Sequence, residues 1–251
     1  MTGRVAIVTG AARGIGRAVV SRLVVEGASV VATDLTHPSV WDEPPGDHVL
    51  ALHADATDPS AVQPVIEAAL QKFGRIDAAV CNAGIAFSSP FLDVDLADWR
   101  RVMSVNLDGV FLYAQAAARA MVLSGAGGSI VLVGSVHGEM TFPTNSAYDV
   151  AKAGVMMLGQ AAACELAPHR VRVNVVGPGF IETAMNREFL TRPGLRAESE
   201  AQIPMGRLGT PADVADVVAF LLSDAARYVT GSYLRCDGGY VLSKDPPQGR
   251  G

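Results

Sequence analysis

Short apolar runs rich in valine alternate along the chain with longer alanine-rich stretches, and this rhythm constrains the fold more than any other feature. The short runs are Val5–Thr9, Ser29–Asp34, Val49–Ala54, Ile76–Asn82, Ser129–Ser135, Val171–Val176 and Tyr233–Cys236. Most lack the polar alternation of a strand with one wet face, so strands covered on both faces are expected. Helical patterns lie between them, at Gly14–Glu26, Pro59–Phe73, Asp95–Ser124, Ala147–Leu166 and Pro211–Leu222. Such a β-α rhythm predicts an α/β fold with a doubly wound parallel sheet, right-handed crossovers and helices on both faces. With no internal repeat or linker, residues 1–245 are expected to form one domain. Pro38–Gly46 reads as a surface loop and 246–251 as a tail.

The chain of 251 residues is long enough for one domain with a sizeable core, and 49% of it is hydrophobic against 18% charged. A net charge of −5 with scattered basic residues offers no footprint for nucleic acid or an anionic membrane. No apolar segment is long enough to span a bilayer, and the first ten residues lack the regions of a signal peptide. Cys81, Cys164 and Cys236 are too few and too scattered for a disulfide framework or a zinc site, so no metal is expected. A cytoplasmic protein is the resulting expectation.

The first strand–helix junction reads Thr9-Gly10-Ala11-Ala12-Arg13-Gly14-Ile15-Gly16. Glycines let such a turn bring backbone N–H groups against a pyrophosphate, and the helix N-terminus adds unpaired donors and partial positive charge. Gly16 would permit close helix–strand packing. Asp34 ends the second strand 18 residues after Gly16, where an acid can accept hydrogen bonds from an adenosine ribose and repel a 2′-phosphate. Leu35 and Thr36 follow, with no arginine, which favours NAD; Arg13 is the counter-signal. The competing role for Asp34 is an exposed strand-end acid. Asp55 and Ala56 are candidates for the adenine edge. Asp55 is otherwise a helix cap, although Asp58 before Pro59 is better placed for that.

Ser135 ends the fifth strand, and Tyr148 and Lys152 are spaced i, i+4, which puts both on one helix face. A tyrosine with an unperturbed pKa of ~10 is a poor base at neutral pH. A lysine one turn away would stabilise the phenolate. Ser135 could then hold a substrate oxygen while Tyr148 takes or returns its proton. Alone, a Tyr-x-x-x-Lys pair is equally an ordinary amphipathic face.

Taken in order, these residues resemble the short-chain dehydrogenase/reductase family over nearly the whole chain, from Arg4 to Gly239. Thr9–Gly16 matches its TGxxxGxG turn and Asn82-Ala83-Gly84 its NAG motif. Val105-Asn106-Leu107 is a family-like helix segment, and Ser135, Tyr148 and Lys152 fall at family spacing, with 13 residues from Ser135 to Tyr148. Pro178-Gly179, Thr183 and Asp237-Gly238-Gly239 complete the set. The resemblance implies a Rossmann fold with seven strands in order 3-2-1-4-5-6-7. It implies Tyr148 as general acid/base, Ser135 holding the substrate oxygen and Lys152 binding the nicotinamide ribose. It implies Asn106 in a water relay to Lys152, with Asn82, Ala83 and Gly84 shaping the cofactor groove. The stretch Pro178, Gly179, Ile181 and Thr183 would lie at the nicotinamide, and a homotetramer is implied. Two departures are Gly134 before Ser135, where serine is frequent, and Val150-Ala151 before Lys152.

The expected activity is hydride transfer between a small polar secondary alcohol, or its ketone, and NAD. His137, Glu139 and Asn145 put hydrogen-bonding groups between Ser135 and Tyr148, and Ser135–His137 with Asn145–Tyr148 resembles the matching stretch of sugar and polyol dehydrogenases; alternatively His137 and Asn145 tie the loop to its own backbone. Met140, Phe142 and Met185 pull toward an apolar ligand. Residues 181–205, including Phe189 and Met205, read as a lid over the site or as ordinary surface helices. The alternatives are an NADPH-dependent ketoreductase resembling 3-oxoacyl carrier-protein reductases and an NAD-binding protein without turnover. The helix Ala147–Leu166 is apolar nearly all round, so a second subunit is expected to cover what the sheet does not.

Overall fold

Seven strands form one parallel sheet: β1 (Val5–Thr9), β2 (Ser29–Asp34), β3 (Val49–His53), β4 (Ala78–Cys81), β5 (Gly128–Val133), β6 (Val171–Pro178) and β7 (Tyr233–Cys236). Their order is 3-2-1-4-5-6-7, and every neighbouring pair is parallel, as the resemblance implied. The computed structural model describes residues 1–41, 48–186 and 191–242. Part of the loop read at Pro38–Gly46, the whole tail 246–251, the expected domain limit at 245 and Phe189 lie outside these residues.

The helices are α1 (Gly14–Val25), α2 (Pro59–Phe73), α3 (Leu96–Met103), α4 (Gly109–Ser124), α5 (Ser146–Leu166), α6 (Leu195–Ala201) and α7 (Pro211–Leu222). Successive strand residues point to opposite faces, which is why the strands tolerate no polar alternation. Ile7, Val31, Ile130 and Leu132 face a core closed by α2, α4 and α5. Ala6, Val8, Val30, Val131 and Val133 face a second core closed by α1 and α7. Truncating a buried side chain such as Ile130 to alanine would cost ~2–5 kcal/mol, because the filled layer cannot collapse onto the gap.

The element limits differ from the sequence expectation where side chains intervene. The helix expected over Asp95–Ser124 is interrupted by a π turn at Ser104–Asp108, and Asp95 caps its start by accepting from the Asp98 N–H. The run Ser129–Ser135 is strand only as Gly128–Val133, since Ser135 opens a 3-10 turn over Val136–Gly138. β3 stops at His53, β4 covers only Ala78–Cys81, and β6 extends to Pro178. The first helix stops at Val25 and the fifth begins at Ser146. Asp58 caps α2 by accepting from the Ser60 N–H, ahead of Pro59.

Because β1 lies between β2 and β4, the crossovers leave β1 in opposite directions and open a crevice beyond the strand ends. In open α/β sheets that crevice is where ligands bind.

Candidate active site

The crevice floor is the Gly10–Gly16 turn. Gly14 has φ +58, and a Cβ on Gly16 would sit 2.1 Å from the Gly10 carbonyl oxygen, so only glycine fits there. Asn82 locks the turn from β4: its Nδ2 donates to the Thr9 and Gly10 carbonyls, both at 3.0 Å. Thr9 Oγ1 in return accepts the N–H groups of Asn82 and Ala83. Arg13 stands exposed at the N-cap of α1 with no side-chain cap, which leaves the first N–H groups of the helix available to an anion. Ile15 packs against the core under α1. Thr183 overhangs the turn, with its Cγ2 3.7 Å from where a Cβ on Gly14 would be. This cradle fits a dinucleotide pyrophosphate.

At the end of β2, Asp34 accepts the Ala12 N–H at 2.9 Å and the Thr36 N–H at 2.8 Å. Its carboxylate is therefore oriented by two loops, and each oxygen keeps a lone pair for a ribose hydroxyl. Leu35 beside it is exposed. Asp55 accepts from the Thr57 N–H and hydroxyl, both at 2.8 Å, next to Ala56.

At the other end of the crevice, Gly84 lies between Asn106 and Lys152. A Cβ on it would be 2.7 Å from Asn106 Oδ1 and 3.7 Å from Lys152 Nζ. Asn106 is fully buried in the π turn and clamps Ile85, accepting its N–H at 3.1 Å and donating to its carbonyl at 3.0 Å. π turns recur at functional sites, and this one aims Asn106 at the loop after β4. Pro178 ends β6, the Gly179 N–H donates to the Cys236 carbonyl, and Ile181 bridges to Gly209. Asn186 accepts the Thr183 N–H and donates to the Ile181 carbonyl, which fixes this stretch near the crevice.

Tyr148 and Lys152 share a helix face as their spacing predicted, and Ser135 joins them as the resemblance implied. Lys152 is buried, donates to the Val133 carbonyl at 3.0 Å, and holds its Nζ 5.6 Å from the Tyr148 ring centre. Burial lowers its pKa from 10.5 to about 8. Burial raises the Tyr148 phenol above its ordinary value, opposed by a hydrogen bond with the Ser135 side chain. The expected lowering of Tyr148 by Lys152 thus gives way to desolvation, which is the larger effect here. A substrate oxygen set against the Ser135 hydroxyl would also meet the Tyr148 hydroxyl, which is the geometry of assisted proton transfer.

The loop between Ser135 and Tyr148 carries contacts that the sequence did not disclose. Glu139 pairs with Arg235 on β7, and Asn145 donates to the Pro143 carbonyl, so both tie the loop rather than open to a ligand. His137 Nδ1 meets Asp149 Oδ1 at 2.5 Å, and the buried Asp149 also accepts the Phe142 N–H. The Tyr233 hydroxyl donates to the Ser135 carbonyl at 2.6 Å, passing the face of Gly177, where any Cβ would collide with it. Asp149 had a sequence signal, an acid in the first turn of an otherwise small and apolar helix; Tyr233 had none.

A nucleotide crevice whose far end brings the buried Ser135 and Lys152 against the half-buried Tyr148 defines a nucleotide-dependent oxidoreductase. A family profile described as "Enoyl-(Acyl carrier protein) reductase" matches residues 10–241. A protein of Rattus norvegicus named (3R)-3-hydroxyacyl-CoA dehydrogenase is 41% identical, over 94% of this chain and 96% of its own length. L-rhamnose 1-dehydrogenase (NAD(P)(+)) of Sphingomonas is 39% identical, over 97% and 98%. The crystal structure of a short-chain type dehydrogenase/reductase from Mycobacterium marinum superposes with a TM-score of 0.89 at 37% identity, covering 96% of this chain and 97% of that one. The chain belongs to the short-chain dehydrogenase/reductase family. It is an oxidoreductase acting on CH–OH groups with a nicotinamide cofactor. Among the described residues no helix is long and apolar enough to cross a membrane.

Proposed function

We propose that this enzyme is an NAD-dependent dehydrogenase of small polar secondary alcohols of the sugar or polyol kind, with Tyr148 as general acid/base. The observation that carries the proposal is the convergence of the half-buried Tyr148 with the buried Ser135 and Lys152 at the far end of the crevice from the glycine turn. The bound nicotinamide supplies the hydride acceptor. Ser135 hydrogen-bonds the carbinol oxygen and orients it toward Tyr148. Tyr148 takes the hydroxyl proton as the carbon loses hydride, and returns it in the reverse direction. Lys152 favours the tyrosinate by its charge and offers N–H groups to the nicotinamide ribose. Asn106 holds the loop that shapes the pocket beside Lys152. Asn82, Ala83, Gly84, Pro178, Gly179, Ile181 and Thr183 line the cofactor groove.

NAD is favoured over NADP by Asp34, whose fixed carboxylate would face a 2′-phosphate with no arginine at 35 or 36 to compensate. The domain is single, the described parts of the lid stretch, residues 181–186 and 191–205, close over the site, and the enzyme works in the cytoplasm. It assembles as a homotetramer: an apolar groove of about 670 Å³ runs between α4 and α5, lined by Phe111, Ala114, Leu123, Leu158, Ala162 and Leu166. Leu123 is 87% exposed in the single chain, and the same groove of a two-fold copy would cover it. Light scattering that gives a monomer would overturn that assembly.

The test of activity is a panel of aldoses, polyols, cyclic alcohols, hydroxysteroids and a 3-hydroxyacyl thioester, followed by nucleotide absorbance with NAD and with NADP. The expected result is highest kcat/KM for a polyhydroxylated compound with NAD. A 3-hydroxyacyl thioester ahead of all others, as the name of the rat relative would suggest, would replace the substrate proposal and leave the family intact.

A further inference from the structure

We propose that His137, oriented by Asp149, is a substrate-binding residue whose Nε2 accepts a hydrogen bond from a hydroxyl on the carbon next to the reacting carbinol. This rests on the proposal that Tyr148 is the acid/base, and it names a feature of the substrate which that proposal leaves open.

His137 is two residues from Ser135, whose Oγ accepts its N–H at 3.3 Å. Its ring meets Tyr148 edge to face, with centres 5.1 Å apart and planes at 87°, while Phe142 backs it at 4.3 Å. The imidazole is therefore fixed beside the two side chains that would receive the carbinol oxygen. Asp149 fixes its tautomer as well. As a carboxylate Asp149 only accepts, and its Oδ2 already receives the Phe142 N–H, so the proton of the His137 contact sits on Nδ1. In the neutral form of the ring the lone pair then falls on Nε2. That atom has no protein partner among the described residues, and it is not sealed off either. Among the described residues, the buried side-chain polar atoms left unpartnered are Tyr113 Oη and Ser146 Oγ. The His137 side chain is 21% exposed, and Nε2, unpartnered yet outside that buried set, is reached by solvent. An acceptor pre-oriented there selects a donor. A neighbouring hydroxyl satisfies it, whereas a methylene or a methoxy group leaves it unpaired. Glu139 and Asn145, the other two polar residues of the loop that the sequence singled out, are already engaged.

The experiment compares trans-cyclohexane-1,2-diol, cyclohexanol and trans-2-methoxycyclohexanol on the nucleotide-loaded enzyme, by kcat/KM and by equilibrium binding to the enzyme–NADH complex. In the native enzyme the diol should exceed both analogues by about tenfold or more, the yield of one well-placed hydrogen bond with its partner left unmet otherwise. His137→Phe should flatten that ratio to near one. Asp149→Asn should turn its amide N–H₂ to Nδ1 and move the ring proton to Nε2. That converts the acceptor into a donor and brings the methoxy compound level with the diol. A merely structural role for Asp149 would change all three substrates alike and leave the ratio intact, and NADH affinity in each variant reports on folding. An undiminished diol preference in His137→Phe, or no preference in either readout of the native enzyme, overturns the proposal. Tyr148→Phe separates the two levels: if it retains turnover, the acid/base assignment fails. If it is inactive while His137→Phe keeps the diol ratio, only His137 is dismissed.

Discussion

Lys152 is held charged in a place that disfavours charge, and replacing it with methionine makes that measurable. In the unfolded chain its ammonium titrates near 10.5, and in the fold burial brings it to about 8. The unfolded state therefore binds more protons between those values, so stability rises with pH across that window. At pH 7 both states are protonated, and the 2.5-unit difference (10.5 minus 8) corresponds to ~3 kcal/mol of destabilisation at 1.36 kcal/mol per unit. By pH 10.5 the folded lysine is neutral and nearly all of that penalty is gone. Lys152→Met keeps the length and removes the charge, at the cost of leaving the Val133 carbonyl unpaired. That cost does not depend on pH. Native minus variant stability, from urea titrations of nucleotide-free protein at pH 7 and pH 10.5, should therefore increase by ~3 kcal/mol with pH. Groups common to both proteins, such as Cys81 and Tyr113, cancel in the difference. A flat difference, or one that falls with pH, would refute the claim that burial dominates the charge state of Lys152. Activity is the counterpart: the variant should lose turnover, since the tolerated charge is the one that favours the tyrosinate.

Tyr148→Phe keeps the packed ring and removes the transferable proton, so kcat should drop by ~10²–10⁴ while NADH affinity by fluorescence stays close to native. Asp34→Ala with Leu35→Arg should move the NADP/NAD ratio of kcat/KM upward by ~10–100-fold, by removing repulsion and adding a phosphate donor; an unchanged ratio would dismiss Asp34 as the discriminator. Gly16→Ala forces a Cβ into the Gly10 carbonyl, and calorimetry should show both a lower Tm and at least about tenfold weaker NADH binding as the turn shifts. Tyr233→Phe deletes one hydrogen bond to the Ser135 carbonyl, worth ~0.5–1.5 kcal/mol, and should lower kcat/KM several-fold with little change in cofactor affinity.

The strands were legible because both faces of the sheet are covered, which writes them as unbroken valine-rich runs. Their ends were not legible. The backbone at Gly134 still bonds the Val176 carbonyl, while Ser135 is turned out by contacts with β7 that lie far along the chain. The π turn at Ser104–Asp108 was hidden for a similar reason: Val105 and Leu107 continue the helical pattern, and the partner of Asn106 is Ile85, 21 residues earlier. Tyr148 and Lys152 could be paired from sequence because helix geometry alone brings i and i+4 together. His137 and Asp149 could not, since 12 residues and a loop of unknown path separate them. The same uncertainty made Glu139 look free when Arg235 holds it, and left Asn145 open between a ligand and the loop backbone, where the Pro143 carbonyl takes it.

Ser135 and the tyrosine that steadies it, Tyr233, are 98 residues apart. A ribosome adding ~5–20 residues per second delivers the second roughly 5–20 s after the first. Once β6 has been made and until β7 follows it, β6 is an unprotected sheet edge, and Gly177 presents an empty notch where the tyrosine ring will lie. The nucleotide cradle between β1 and β4 belongs to the first 84 residues and can take shape well before. Biogenesis thus passes through a stage in which the cofactor half of the crevice exists and the reacting half does not. Docking of β7 is then the step that licenses chemistry and covers the exposed edge of β6.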